Sequence, residues 1–171
     1  MRVFEMFSGI GGFGEAFRRE GHEVIGHSEI DKYADQIYAR HFSNRNYGDC
    51  TRIIPEELPD FDVLCGGVPC QSWSIAGKRK GFEDARGTMW FEVFRIANVK
   101  KPKYILLENV KGLISHDGGK SIAKIFQCLN DIGYIVDFTI LNTAKYGIPQ
   151  NRERVFILAI REDLLTKEQI I

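Results

Sequence analysis

The N-terminal stretch changes its hydrophobic period within a few residues, and that change limits what the chain can fold into. Arg2 to Phe7 reads as a strand, and it runs directly into Ser8-Gly9-Ile10-Gly11-Gly12. From Phe13 the period lengthens. Phe13, Ala16 and Phe17 fall at i, i+3 and i+4, one apolar face of a helix predicted from about Phe13 to Arg19 and ended by Gly21. Glycines between strand and helix permit a tight turn and let a ligand approach the backbone and the helix N-terminus. The alternation continues along the chain. Glu23 to Ser28 is predicted as a strand, Asp31 to His41 as a helix capped by Asp31, and Asp49 as the end of a third strand. Asp62 to Cys65 is an apolar strand entering Gly66-Gly67, Thr88 to Asn98 a helix, and Tyr104 to Leu107 a buried strand ending at Glu108. Lys120 to Leu129 reads as a helix, Tyr134 to Leu141 and Val155 to Ile160 as two more strands, and Glu162 to Ile171 as one short polar helix. Strands alternating with helices argue a parallel α/β sheet with helices on both faces. Ligands of such sheets sit outside the carboxyl ends of the strands, so the residues just after each strand are the candidates.

Composition narrows the class. With 171 residues, 44% hydrophobic and 27% charged, the chain can bury a core, and the length suits one domain. A disordered segment, a collagen-like fibre and a disulfide-stapled mini-protein are excluded. No apolar run approaches the roughly 20 residues that span a bilayer, and Glu5 comes too early for a signal peptide. The expectation is a cytoplasmic protein without a membrane partner. Twenty-three basic and 23 acidic residues cancel, so any attraction for nucleic acid must come from local clusters. Cys50, Cys65, Cys70 and Cys128 form no Cys-x-x-Cys pair and no histidine stands at zinc spacing beside them, so no metal site is expected. In a reducing compartment they are free thiols. Three read as small buried hydrophobes, and Cys70 is set apart by its context.

The strand ends carry the chemistry. Gly9, Gly11 and Gly14 satisfy G-x-G-x-x-G, a weak signal that a bland glycine turn also produces. Glu29 follows the second strand at a distance suited to ribose hydroxyls, or is a solvated surface acid. Asp49 either accepts from an adenine amine or caps the following turn. Together these point to an adenosine-containing cofactor. Gly66-Gly67-Val68-Pro69-Cys70-Gln71-Ser72-Trp73-Ser74 puts a cysteine in a Gly/Pro loop after a buried strand, the setting for a thiolate nucleophile, although isolated cysteines are more often structural. The loop runs on without periodicity through Lys78, Arg79 and Lys80 to Gly87. It suits a mobile lid gripping phosphates, or a solvated charge run. Glu108, in Glu108-Asn109-Val110, can donate or share a proton at a strand end, or cap the next turn. Arg152 and Arg154 alternate on one strand face, where they orient an acid or bind a base oxygen, or pair with Glu153 and other acids.

Taken in order, Phe7-Ser8-Gly9-Ile10-Gly11-Gly12, Glu29, Gly48-Asp49, the Pro69-Cys70-Gln71 block, Arg86-Gly87-Thr88-Met89, Glu108-Asn109-Val110 and Gln150-Asn151-Arg152-Glu153-Arg154 resemble the cytosine-5 DNA methyltransferase family over Val3 to Ile160. The Pro-Cys-Gln and Glu-Asn-Val blocks carry the specificity of the match. The resemblance implies a Rossmann-like S-adenosylmethionine-dependent methyltransferase sheet, with DNA as partner and restriction-modification as setting. It implies catalysis by Cys70, Glu108, Arg152 and Arg154. The Cys70 thiolate adds to carbon 6 of a cytosine flipped out of the duplex. Glu108 hydrogen-bonds the ring nitrogen and amine, Arg154 holds the exocyclic oxygen, and Arg152 positions Cys70 and Glu108. Carbon 5 then takes the methyl group and elimination frees Cys70. For the cofactor the resemblance implies Phe7, Gly9, Gly11, Gly12, Glu29, Ile30, Asp49, Cys50, Pro69 and Met89, and for the DNA-facing loop Gln71, Ser74, Lys78, Arg79 and Lys80.

Members of the family continue beyond the last strand with a target-recognition domain and further motifs that this chain lacks. Residues 1–171 are therefore expected to form one catalytic domain, incomplete at its C-terminus, that works with a complementary chain. The alternatives are a non-catalytic cofactor-binding remnant and a tRNA cytosine-5 methyltransferase. A nicotinamide-dependent oxidoreductase explains the glycine turn but neither Pro69-Cys70-Gln71 nor Glu108-Asn109-Val110.

Overall fold

The computed structural model describes residues 1–69 and 89–166. Its strands are β1 (Arg2–Met6), β2 (Glu23–Ser28), β3 (Arg45–Asn46), β4 (Val63–Gly67), β5 (Tyr104–Val110), β6 (Tyr134–Asn142) and β7 (Glu153–Arg161). Its helices are α1 (Gly12–Arg19), α2 (Lys32–Tyr38), α3 (Met89–Lys100) and α4 (Lys120–Asp131). The strands form one sheet in the order β3-β2-β1-β4-β5-β7-β6. The strand order reverses between β1 and β4, which opens a crevice there at the carboxyl edge.

The expected parallel pairing holds for β3, β2, β1, β4 and β5 and fails beyond them. β7 runs antiparallel to β5, and β6 antiparallel to β7. The connection from β6 to β7 explains the difference. It holds only the 3₁₀ turn Thr143–Tyr146, and a parallel crossover needs a dozen or more residues, usually with a helix. The sheet is therefore mixed. β5 also outlasts its predicted end, because Val110 pairs with Arg154 on β7. β3 is only two residues long, so Asp49 lies beyond it. The polar helix expected from Glu162 is a short 3₁₀ turn, Glu162–Leu164, and residues 167–171 lie outside the described residues.

Alternation along β1 sorts the two faces. Phe4 and Met6 are fully buried and join Leu64, Val93, Phe94, Ile105, Ile125 and Ile157 in the main core, on the side of α3 and α4. Val3 packs with Val63 and Cys65 on the other side, beneath Phe13 and Phe17 of α1. α2 begins where its cap predicts: Asp31 accepts from the Tyr33 and Ala34 backbone N–H groups. It ends at Tyr38, short of His41. Cys50, Cys65 and Cys128 are buried free thiols, as expected of them. Among the described residues no helix is long and apolar enough to cross a membrane, and no cluster of His, Cys, Asp and Glu could hold a metal ion.

Candidate active site

The glycine turn leaves β1 at the crevice. Phe7, Gly9 and Gly11 have φ of 52°, 54° and 96°. Gly11 is the cap of α1, and a Cβ there would stand 2.8 Å from the Phe42 ring. A side chain at that position would meet both backbone strain and a ring. Gly12 opens the helix. Ser8 is buried, and its hydroxyl makes no hydrogen bond among the described residues, so one polar atom at the turn is free to receive a ligand.

Glu29 stands just after β2. Its Oε2 accepts from Gly9 N–H at 2.7 Å, and its Oε1 accepts from Ile30 and Asp31 N–H at 2.9 and 2.8 Å. These bonds remove Glu29 from the free surface-acid reading and tie it to the turn. Ile30 beside it is 78% exposed, an apolar side chain with nothing over it. Asn46, unmarked in the sequence, stitches this region. Its side chain accepts from the Glu29 and Gly48 N–H groups and donates to the Glu29 carbonyl.

Asp49 caps the 3₁₀ turn Cys50–Arg52, accepting from the backbone N–H and hydroxyl of Thr51. Of its two open readings, capping is the one these bonds show. The Cys50 thiol lies 3.9 Å from the Met89 sulfur at the start of α3, so two residues distant in sequence meet as one wall. Burial pushes the Cys50 thiol up to about 11, so it is not a nucleophile at neutral pH. Arg95 of α3 fastens this wall by donating to the carbonyls of Ile53 and Cys50. A charged residue inside an apolar helix gave no sign of this in the sequence.

Across the crevice, Val68 N–H donates to the Glu108 carbonyl, and Asn109 Nδ2 donates to the Val68 carbonyl at 2.9 Å. Pro69 follows, exposed. Asn109 is buried, and its Oδ1 also accepts from Val110 N–H. Its side chain thus pins the chain immediately before Cys70. Asn109→Ala is expected to cost about 1–3 kcal/mol of stability, the penalty for orphaning buried partners, read as a lower thermal midpoint.

Glu108 lies within β5, not after it, and among the described residues its side chain accepts no backbone N–H. Its neighbour across the pair is Gly67, at the end of β4. Arg154 Nε reaches Glu108 Oε1 at 2.8 Å, with both side chains about one-fifth exposed (22% and 23%). The antiparallel β7 makes this meeting possible by setting Arg154 opposite Val110. Arg154 Nη1 donates to the Glu153 carbonyl. Among the described residues Glu108 Oε2 and Arg154 Nη2 make no hydrogen bond. Arg152 differs. It precedes β7, is exposed, and among the described residues its side chain does not reach Glu108. Glu153 pairs with Lys111 at 2.9 Å rather than with either arginine. Cys70, Gln71, Ser74, Lys78, Arg79, Lys80 and Arg86 to Thr88 lie outside the described residues.

The model of the C-5 cytosine-specific DNA methylase family matches residues 1–171. The chain belongs to this family. It is 43% identical over 164 residues to the type II methyltransferase M.HhaI of Haemophilus parahaemolyticus, covering 96% of this chain and 50% of that one. It is 47% identical over 174 residues to the orphan methyltransferase M.SPRI of Bacillus phage SPR, covering 99% and 40%. Among solved structures it resembles the S. pombe Dnmt2 methyltransferase, with a TM-score of 0.77 and 25% identity over 95% of this chain and 51% of that one. The chain thus spans about half the length, or less, of these relatives. The mixed seven-stranded sheet with helices on both faces is the Rossmann-like methyltransferase fold.

Proposed function

We propose that this chain is the catalytic half of a DNA cytosine-5 methyltransferase that takes its methyl group from S-adenosylmethionine. The observation that carries the reading is the Glu108–Arg154 pair at the carboxyl edge, opposite the glycine turn and beside the strand that leads to Pro69-Cys70. Arg154 holds Oε1 of Glu108, and Oε2, beside Gly67, makes no hydrogen bond among the described residues, which leaves an acceptor for the amine or ring nitrogen of a cytosine. Arg154 keeps Nη2 for the exocyclic oxygen.

The cofactor fits the residues opposite. The positive-φ turn of Phe7, Gly9 and Gly11 with Gly12, the Ser8 hydroxyl, which has no partner among the described residues, Glu29, the exposed Ile30 side chain, Asp49 and the Cys50–Met89 wall would hold it, with Pro69 between cofactor and base. Bound there, it supplies an electrophilic methyl group. Glu29 would turn an oxygen to the ribose hydroxyls while keeping Gly9 N–H. Glu29→Ala is expected to weaken cofactor binding by about 1–3 kcal/mol, the scale of charge-assisted hydrogen bonds, measured by titration calorimetry. An unchanged dissociation constant would return Glu29 to a role in the turn alone.

Carbon 5 of cytosine is a poor nucleophile until something adds to the ring. In this reading the Cys70 thiolate forms a bond to carbon 6. Glu108 Oε2 shares a proton with the ring nitrogen, so the electron pair pushed into the ring is held as an enamine and carbon 5 becomes nucleophilic. After methylation, loss of the carbon 5 proton to a base expels Cys70 as thiolate. Arg154 keeps Glu108 aimed throughout. Arg152 is assigned to positioning Cys70 and Glu108 in the base-bound state, and Gln71, Ser74, Lys78, Arg79 and Lys80 to the DNA.

The same reading assigns DNA recognition to a complementing polypeptide equivalent to the part of the relatives outside the match. A cleft of about 530 Å³ between α1 and the β7–β6 side of the sheet supports it. Phe13, Phe17, Leu106, Phe156 and Leu158 line it, with Glu20 and Asp137 among its polar residues, and Leu158 is 40% exposed. An apolar cleft on a sheet face marks an interaction site. Its occupant is assigned as an amphipathic segment of that polypeptide with basic residues flanking the apolar ones. Transfer of labelled methyl groups to duplex DNA tests the whole reading.

A further inference from the structure

Two carboxylates hold the glycine turn, one at each end. Glu29 takes Gly9 N–H. Glu5, on β1 and 1% exposed, takes Gly14 N–H in the first turn of α1 at 3.1 Å and the Tyr38 hydroxyl at 3.3 Å, both on Oε2. A Cβ on Gly14 would stand 2.7 Å from that oxygen, so the start of the helix rests directly on the carboxylate. A buried acid at this place is costly unless its charge is used.

We propose that Glu5 is a positioning residue for the cofactor turn: its ionised carboxylate fixes the start of α1 and, together with Glu29, makes the turn selective for a ligand of net positive charge. The proposal rests on the reading that this turn binds S-adenosylmethionine, whose sulfonium gives it that charge. Among the described residues the groups facing Glu5 are few. Its neighbour on β2 is His27, whose ring nitrogens face Asp35 and Asn44 and whose ring stacks on Tyr38. Its neighbour on β4 is Cys65. α2 contributes Tyr38, which also accepts from Asn44. α1 contributes only backbone N–H groups.

Burial pushes the Glu5 carboxyl up to about 7, and the charge of Glu29 adds to the rise, against the Gly14, Tyr38 and Phe13 hydrogen bonds. The sign of the linkage follows. The fold by itself favours the neutral acid, so this group's contribution to stability is complete below its ordinary value of 4.5 and is lost as pH rises through about 7. A cation on the turn favours the ionised form, so affinity for the cofactor rises over that same approach to neutrality. Fold and ligand pull Glu5 in opposite directions.

The test is calorimetric titration of the full chain with S-adenosylmethionine from pH 5.5 to 8.5, in two buffers of different ionisation enthalpy to count protons. The wild-type chain is expected to bind about tenfold more tightly at pH 8 than at pH 5.5, releasing a proton on binding in the acidic half of the range. Glu5→Gln keeps the shape and one acceptor without the charge. It is expected to bind about tenfold more weakly at pH 8, with no rise in affinity and no proton release between about pH 5.5 and 7, where the ligand's own ammonium stays protonated, while its thermal midpoint at pH 8 equals or exceeds that of the wild type. Should that variant not fold, Tyr38→Phe removes one donor to the ionised form and is expected to move the midpoint of the profile to higher pH. A wild-type profile retained by Glu5→Gln, or a midpoint unmoved by Tyr38→Phe, would overturn the proposal and leave the cofactor reading standing. Failure of the wild-type chain to bind at any pH would overturn both.

Discussion

Cys70→Ser is expected to lower methyl transfer by at least about a thousandfold, equivalent to about 4 kcal/mol of barrier, while the affinity for S-adenosylmethionine stays within about twofold of the wild type. A hydroxyl at neutral pH is a far weaker nucleophile than a thiol with even a small thiolate fraction. The chain has a built-in contrast. Burial pushes the thiols of Cys50 and Cys65 up, and Cys128 is fully buried, so none of the three can substitute for Cys70. Cys50→Ser should instead disturb the wall shared with Met89 and weaken the cofactor, without removing the chemistry. The measurement is a single-turnover assay with the chain together with a polypeptide equivalent to the uncovered part of its relatives, alongside a cofactor titration. A serine variant with full activity would remove the addition of Cys70 to the ring from the mechanism. One that lost cofactor binding in proportion to activity would place Cys70 on the cofactor side of the crevice.

β1, β2, β4 and β5 and the helices beside them were legible because their hydrophobic periods differ and their ends carry chemical markers: the glycine turn, the Asp31 cap, Gly66-Gly67. β3 was not, since two residues are too few to show a period and it ends before Asp49. What the sequence could not show was direction. Val155 to Ile160 is as apolar as a central parallel strand, and nothing in its period says that β7 enters the sheet antiparallel. Yet that direction is what brings Arg154 onto Glu108, so the pair that best defines the site was visible only as two motifs far apart. The same holds for residues that act through hydrogen bonds across elements. Asn46 and Arg95 are polar residues of ordinary appearance, and Glu5 is one acid in an alternating strand. Only the register of β1 against β2 and β4, with α1 laid over it, shows that Glu5 is enclosed. Asp49 teaches the converse. Its motif position suggested a ligand to adenine, and its side chain in the folded chain is already engaged by Thr51. Arg152 was expected on the same strand face as Arg154, but β7 begins only at Glu153. The alternation argument therefore reaches one arginine and not the other.

The chain on its own is expected to methylate duplex DNA at no more than a trace level, and to gain site-specific activity with a polypeptide equivalent to the uncovered half of its relatives. Part of the reason is the apolar cleft over Leu106, Phe156 and Leu158. Covering such surface is worth about 25 cal/mol per Å² before the cost of association, which helps to seat a helix when other contacts join it. The other part is electrostatic. The net charge is zero, and Lys78, Arg79 and Lys80 can neutralise only about three phosphates, whereas tight DNA binders neutralise about six to ten. Base-edge contacts specify a sequence and phosphate contacts only position the protein, so a chain with few of either has affinity and specificity to gain from a basic partner. Charge placed on the cleft should block assembly without touching the crevice. Leu158→Glu is therefore expected to abolish the partner-dependent activity while cofactor binding by the chain is retained. The assay is tritiated-methyl transfer to mixed-sequence duplex DNA, with and without the second polypeptide, followed by mapping of the modified cytosines. Robust site-specific methylation by the chain alone would sink the two-part reading. Silence in both samples with cofactor binding intact would turn the conclusion to a cofactor-binding remnant, because the methyl donor would then be held without a base being presented to Cys70.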